Sequence, residues 1–217
     1  MALAIFDLDN TLLHGDSDYS WGQFLCRKGV VDAEAHTRAN QAYYEDYERG
    51  ELDIEAFLQF ALKPLADNTL ADLNAWRDEF MREVIEPMVL PKGESLLQRH
   101  RDQGDTLMII TATNHFVTEL IARRLGVDHL IATRPECVDG RFTGKVSGVP
   151  SFQGGKVERL QEWLQQHGAS LEESYFYSDS QNDIPLLEKV DHPVAVDPSP
   201  ALRQHAEAKG WTVMSLR

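Results

Sequence analysis

Apolar and polar positions alternate with two different rhythms along this chain. Leu3-Ala4-Ile5-Phe6 is an unbroken apolar run that ends abruptly in Asp7-Leu8-Asp9-Asn10-Thr11. Such a run predicts a strand buried in a parallel sheet. From about Asp16 to Met88 strand signals are scarce and apolar residues recur at helical spacing. Helices are predicted from Tyr19 to Lys28, before Gly29, and from an Asp32 cap to Arg49, before Gly50. A third runs from an Asp53 cap to about Pro64, and a fourth from a Thr69 cap through Leu70, Leu73, Trp76, Phe80 and Val84. Four helices in succession predict a helical insertion or bundle.

After Pro91 helices and strands alternate. Glu94 to Asp102, Asn114 to Leu125 and Gly154 to His167 read as helices. Between and after them, Thr106 to Ile110, Leu130 to Ala132, Ser174 to Tyr177, Pro193 to Val196 and Trp211 to Met214 read as strands. The Gly-rich stretch from Cys137 to Pro150 reads as a hairpin or loop. This alternation predicts an α/β fold with a mainly parallel sheet and helices on both faces. The sheet is then split, with its first strand before the helical stretch and the others after it. An insertion directly behind that first strand is placed to act as a lid.

Composition narrows the function classes. The 217 residues carry 21 basic and 35 acidic side chains, a net charge of −14. That balance weighs against nonspecific binding to nucleic acid or to an anionic membrane. Cys26 and Cys137 form no Cys-x-x-Cys pair, and the eight histidines are scattered without a zinc motif. With no basic leader and no apolar run of membrane length, a cytoplasmic enzyme is expected, monomeric or homodimeric.

The chemistry concentrates at strand ends. Side chains alternate along a strand, so Asp7 and Asp9 point to the same side where the first strand emerges. Open α/β sheets bind ligands at that end. Two carboxylates in a partly dry site repel each other unless a cation binds or one keeps a proton. Three later segments repeat the design of strand or glycine turn, polar residues and helix: Ile110-Thr111-Ala112-Thr113-Asn114, Gly154-Gly155-Lys156, and Tyr177-Ser178-Asp179-Ser180-Gln181-Asn182-Asp183. Hydroxyls and amides at a helix start suit a phosphate. Thr113 or Asn114 can equally be a plain helix cap. Gly154-Gly155-Lys156 is no P-loop, because Pro150 stands where the upstream glycine is needed and Val157 replaces the hydroxyl residue.

In this order the segments resemble the four motifs of the haloacid dehalogenase superfamily of aspartate-nucleophile phosphatases, with Ser178 where glycine is usual. The resemblance spans nearly the whole chain. It implies a Rossmann-like core formed by 1–15 and 89–217, with a helical C1 cap inserted at 16–88, as in the phosphoserine-phosphatase-like subgroup. It implies Asp7 as nucleophile and Asp9 as general acid and base. Mg²⁺ would bind Asp7, Asp179 and the backbone carbonyl of Asp9, with Asp183 ligating through water or orienting Asp179. Thr111, the Ala112 amide, Lys156 and Asn182 would contact phosphate or water. The substrate would be a small phosphorylated metabolite, histidinol phosphate ahead of phosphoserine. Asp18, where the chain enters the insertion, would pair with a cationic substrate group. Asp16 and Asp18 can also be helix caps. Phosphoserine would call for a cap arginine, for which Arg49 is available. A phosphomutase, or a binding module of the same fold without turnover, are the remaining alternatives.

Overall fold

The computed structural model describes residues 2–217. The first strand, β1 (Leu3–Phe6), is followed by helices α1 (Ser17–Arg27), α2 (Ala33–Arg49), α3 (Ile54–Asp67) and α4 (Leu70–Phe80). A π-helical turn at Met81–Ile85 continues into the short α5 (Glu86–Met88). Next come α6 (Pro91–Asp102), β2 (Thr106–Asn114), α7 (His115–Arg124) and β3 (His129–Thr133). A hairpin of β4 (Pro135–Val138) and β5 (Arg141–Val146) leads to α8 (Gly154–His167) and β6 (Tyr175–Ser178). A 3₁₀ turn at Gln181–Asp183 precedes α9 (Ile184–Leu187), β7 (His192–Val196), α10 (Pro200–Lys209) and β8 (Thr212–Met214).

Six strands form one sheet in the order β3-β2-β1-β6-β7-β8, every neighbouring pair parallel. The expected α/β architecture is therefore present. β1 lies between β2 and β6 with all four side chains buried, which is why its sequence is apolar without alternation. The chain builds β2 and β3 on one side of β1, then crosses to build β6, β7 and β8 on the other. This reversal beside β1 is where such sheets open a crevice at their strand ends.

The two faces of the sheet carry separate cores. Leu3 and Ile5 pack with Met108, Leu160, Phe176 and Leu202. Ala4 and Phe6 face the other way and join one cluster with Trp21, Phe24, Leu62 and Phe80 of the helical segment. The segments leaving for and returning from the helices run side by side. His14 N–H donates to Met88 C=O at 2.7 Å, and Leu90 N–H to Leu12 C=O at 3.1 Å.

Several elements differ from the expected ones, three of them instructively. α3 continues past Pro64 to Asp67. Proline removes one helical hydrogen bond, but Leu62, Pro64 and Leu65 are all buried and packing holds the turn. β2 extends four residues beyond Ile110, with a register shift against β3 between Ile110 and Asn114. α10, unassigned from the sequence, has a Ser199 cap, Pro200 in its first turn and a left-handed Gly210 stop. Among the described residues no helix is long and apolar enough to cross a membrane.

Candidate active site

Asp7 is the first residue beyond β1, and its N–H still donates to Tyr177 C=O of β6 at 2.9 Å. Its side chain is buried, with Oδ1 accepting from Lys156 Nζ at 2.8 Å. Lys156 is 1 % exposed and also bonds Asp183, whose Oδ2 accepts from Ser178 Oγ at 2.7 Å. One buried chain thus joins the ends of β1 and β6 to the first turn of α8. Burial pushes the Asp7 carboxyl up to about 7; Lys156 pulls it down, while Asp183 and Asp9 push it further up. Burial also disfavours the Lys156 ammonium, but Asp183 and Asp7 outweigh that and hold its pKa above the usual value. Removing either partner would leave a buried charge uncompensated.

The backbone before Lys156 explains its two glycines. A Cβ on Gly155 would lie 2.1 Å from Pro150 O, whereas one on Gly154 would meet nothing within 4 Å. Gly155 is the one the turn demands. Gln153, with φ +46°, supplies a positive-φ step directly before α8.

Asp9 sits beside Asp7 in a different setting. Its Oδ1 accepts from Ser17 N–H at 2.6 Å and its Oδ2 from Thr113 Oγ1 at 2.8 Å. Burial lifts its pKa to about 7, Asp16 adds to the rise, and the Ser17 and Thr113 bonds oppose it. A carboxyl poised near neutrality suits proton transfer in both directions. The alternatives left open for Thr113 and Asn114 now separate. Asn114 caps α7 by accepting from Val117 N–H at 3.1 Å, and Thr113 holds Asp9. Thr111 and Ala112 line the same pocket as Asp7 and Asp9.

Asp179 lies beyond β6, and Thr11 Oγ1 donates to its Oδ1 at 3.2 Å. Burial and then the Asp7 and Asp183 charges push its pKa well above the ordinary range. Among the described residues no group of three or more His, Cys, Asp or Glu side chains is arranged to hold a metal. Asp7 and Asp179 nevertheless offer hard oxygen donors, and their mutual repulsion is what a divalent cation would relieve.

Two expected site residues are engaged elsewhere. Asn182 Nδ2 donates to Tyr47 C=O in α2 at 3.0 Å, and its Oδ1 accepts from Gln153 at 3.1 Å. Beside it, Gln181 donates to Glu48 C=O at 2.9 Å. This turn therefore fastens the strand-end crevice beside β1 to the helical segment. Asp183 reaches Lys156 and Ser178, with its carboxylate bonds spent on fixing the ammonium.

The pocket continues from the aspartates into the helical segment, where Tyr19, Tyr43, Tyr44, Tyr47 and Phe57 line it. Asp16 caps α1 through Tyr19 N–H at 2.7 Å and also faces the pocket. Asp18 accepts from Asn114 Nδ2 at 3.1 Å. Burial raises both carboxyls to about 7. No arginine or lysine is among the pocket-lining residues. Arg49 is exposed and pairs with Asp46 and with Glu51, the latter at 3.0 Å. Ser17 and Gln153 carry no spacing that marks them in the sequence, because non-local packing brings them here, and which tyrosines reach the pocket depends on the same packing; Thr11, by contrast, closes the polar run that follows β1.

A family model for haloacid dehalogenase-like hydrolases matches residues 4–188. The chain belongs to this family. It is 44% identical to a histidinol-phosphatase of Neisseria meningitidis over 219 residues, covering 99% of each chain. It is 32% identical to a phosphoserine phosphatase of Mycobacterium tuberculosis, covering 100% of this chain and 71% of that protein. A crystal structure of a Bordetella pertussis protein of unknown function superposes with a TM-score of 0.94 at 50% identity, covering 100% and 99% of the two chains. A substrate-bound phosphoserine phosphatase superposes with a TM-score of 0.74 at 18% identity, covering 100% of this chain and 93% of the other, a likeness of fold. The chain is an enzyme of the haloacid dehalogenase-like family with phosphatase activity.

Proposed function

We propose that this phosphatase hydrolyses histidinol phosphate through an aspartyl-phosphate intermediate, with 16–88 as a cap over a core of 1–15 and 89–217. The observation that carries the substrate is the charge of the pocket wall. Asp16 and Asp18 face the leaving-group side, aromatic rings surround it, and no arginine or lysine lines it. Histidinol phosphate presents an ammonium and an imidazole there and has no carboxylate. Phosphoserine would bring a carboxylate against these aspartates with no cation to receive it. Tyrosine faces also attract cations. The relationship to the Neisseria meningitidis histidinol-phosphatase supports the same reading.

In the first half of the reaction, an Asp7 carboxylate oxygen bonds to phosphorus and the bond from phosphorus to the leaving oxygen breaks. Asp9 gives its proton to that oxygen, releasing the alcohol. In the second half, Asp9 takes a proton from water as the water oxygen bonds to phosphorus. The Asp7–phosphorus bond then breaks and inorganic phosphate departs. Lys156, Thr111 and the Ala112 amide stabilise charge on the phosphoryl oxygens. Asp183 and Ser178 keep Lys156 in place. Asp7, Asp179 and the Asp9 carbonyl would hold Mg²⁺, which supplies charge neutralisation for the phosphoryl group. Purified protein with Mg²⁺ is expected to release inorganic phosphate from histidinol phosphate and to lose that activity reversibly on chelation. Absence of release, or full activity after exhaustive metal removal, overturns the reading.

A further inference from the structure

A second concavity lies outside the catalytic pocket, between the helical segment and the sheet. α4 contributes Leu70, Asn74 and Arg77, α7 contributes His115, Phe116 and Glu119, and the hairpin region contributes Arg134, Pro135 and Phe142. In a chain of net charge −14, this wall is cationic. Arg134 is exposed, and among the described residues its guanidinium has no hydrogen-bond or ion-pair partner. Arg77 lies 4.2 Å from the Phe116 ring centroid and donates to Phe116 C=O and Asn74 Oδ1, while its Nε is buried without a partner. The carboxylate facing this group, Glu119, is 3.7 Å from Arg77 and is bonded more closely to Arg123, at 2.6 Å. Burial lowers the His115 pKa; Glu119 opposes this, and Arg134, Arg159 and Arg77 reinforce it, so positive charge is in excess at this spot.

We infer that this concavity is a binding site for a small organic carboxylate with an apolar or aromatic body, separate from the catalytic pocket. Arg134 and Arg77 supply the charge that a carboxylate would neutralise, and a guanidinium fork matches its two oxygens. Phe116, Phe142, Pro135 and Leu70 supply the apolar walls. Arg77 is held by Glu119, Asn74 and the carbonyl and ring of Phe116, so Arg134 is the guanidinium of this wall left without a partner among the described residues. Such a ligand would bridge α4 and α7 across the joint between helices and sheet. The helical end of the catalytic pocket, walled by Asp16 and Asp18, has the opposite sign.

Isothermal titration of the Mg²⁺-loaded enzyme at constant ionic strength with phenylacetate, acetate and phenylacetamide tests the site. Phenylacetate is expected to bind saturably in the millimolar range or tighter, acetate at least tenfold more weakly, and phenylacetamide not at all. Arg134→Ala should weaken phenylacetate binding at least tenfold and leave p-nitrophenyl phosphate turnover within about twofold of wild type, which also reports that the variant folds. Phe142→Ala should weaken phenylacetate more than acetate. Unchanged affinity in Arg134→Ala, equal binding of the neutral amide, or no saturable binding by 10 mM phenylacetate overturns the proposal.

Discussion

The two ends of the catalytic pocket are built on opposite principles. At the sheet end, Asp7, Lys156, Asp183 and Ser178 are buried and bonded to one another, so each position is fixed by its neighbours. At the helical end, tyrosines and two aspartates form a wall with few mutual bonds. The first end suits a group of constant shape, the phosphoryl group. The second suits discrimination among leaving groups, which needs surface chemistry more than a rigid lattice of charges. The lesson is a division of labour: damage at the sheet end should harm every substrate, and damage at the helical end should harm only some.

The largest effect is expected at Asp7. Asp7→Asn keeps the shape of the side chain and removes the nucleophile, so kcat should fall by at least ~10³-fold on all phosphate esters. Phosphate-release assays with histidinol phosphate and p-nitrophenyl phosphate would show equal collapse. Near-normal turnover on either ester would remove Asp7 from its proposed role.

Asp9 sharpens the comparison because its task depends on the leaving group. An alkoxide needs a proton and p-nitrophenolate does not. Asp9→Asn should slow histidinol phosphate hydrolysis by roughly 10²–10⁴-fold and p-nitrophenyl phosphate hydrolysis much less. Equal losses would mean that its bonds to Ser17 and Thr113 serve only the fold.

Asp18 belongs to the other end. Asp18→Asn should raise KM for histidinol phosphate by roughly tenfold to a hundredfold, from about 1.5–3 kcal/mol for a lost charged partner. KM for p-nitrophenyl phosphate should barely move. A parallel rise for both esters would assign Asp18 to holding Asn114 at the start of α7.

Legibility in the sequence follows the same division. Asp7, Asp9, Thr111, Lys156 and Asp179 stand where a strand or a glycine turn delivers them, so their gathering at one end of the sheet is legible in local pattern. The π-helical turn and the passage of α3 through Pro64 were hidden, because tertiary burial there overrides local propensity. Asn182 falls in a motif segment that points to contact with phosphate or water, whereas its bond to Tyr47 spans 135 positions and has no local signature. The tyrosine wall is not legible in local pattern: Tyr43, Tyr44 and Tyr47 belong to a polar-aromatic run that ends at Arg49. Which of those residues face the pocket depends on how α2 packs, and Arg49 turned out to face solvent.

The smallest expected effect concerns pH. Asp16 and Asp18 have a carboxyl pKa of about 7 in the folded protein against an ordinary 3.8. Because the folded state holds these protons more tightly, their contribution to stability is complete below about 3.8. It is lost as pH rises through about 7. In thermal melts between pH 5 and pH 8, Asp16→Asn/Asp18→Asn should lose less Tm than wild type, by at least roughly 2–4 °C. Asparagine still caps a helix, so the Asp16 change should not unseat α1. Parallel melting curves would show that both carboxylates are already solvated.

The most direct measurement of the central claim is kcat/KM for histidinol phosphate and phosphoserine, determined side by side on the wild-type enzyme with Mg²⁺. A pocket wall of aspartates and aromatic rings without a cation predicts at least a tenfold preference for histidinol phosphate. Equal values, or a preference for phosphoserine, would contradict the division between a sheet end that reads phosphate and a helical end that reads a cationic leaving group.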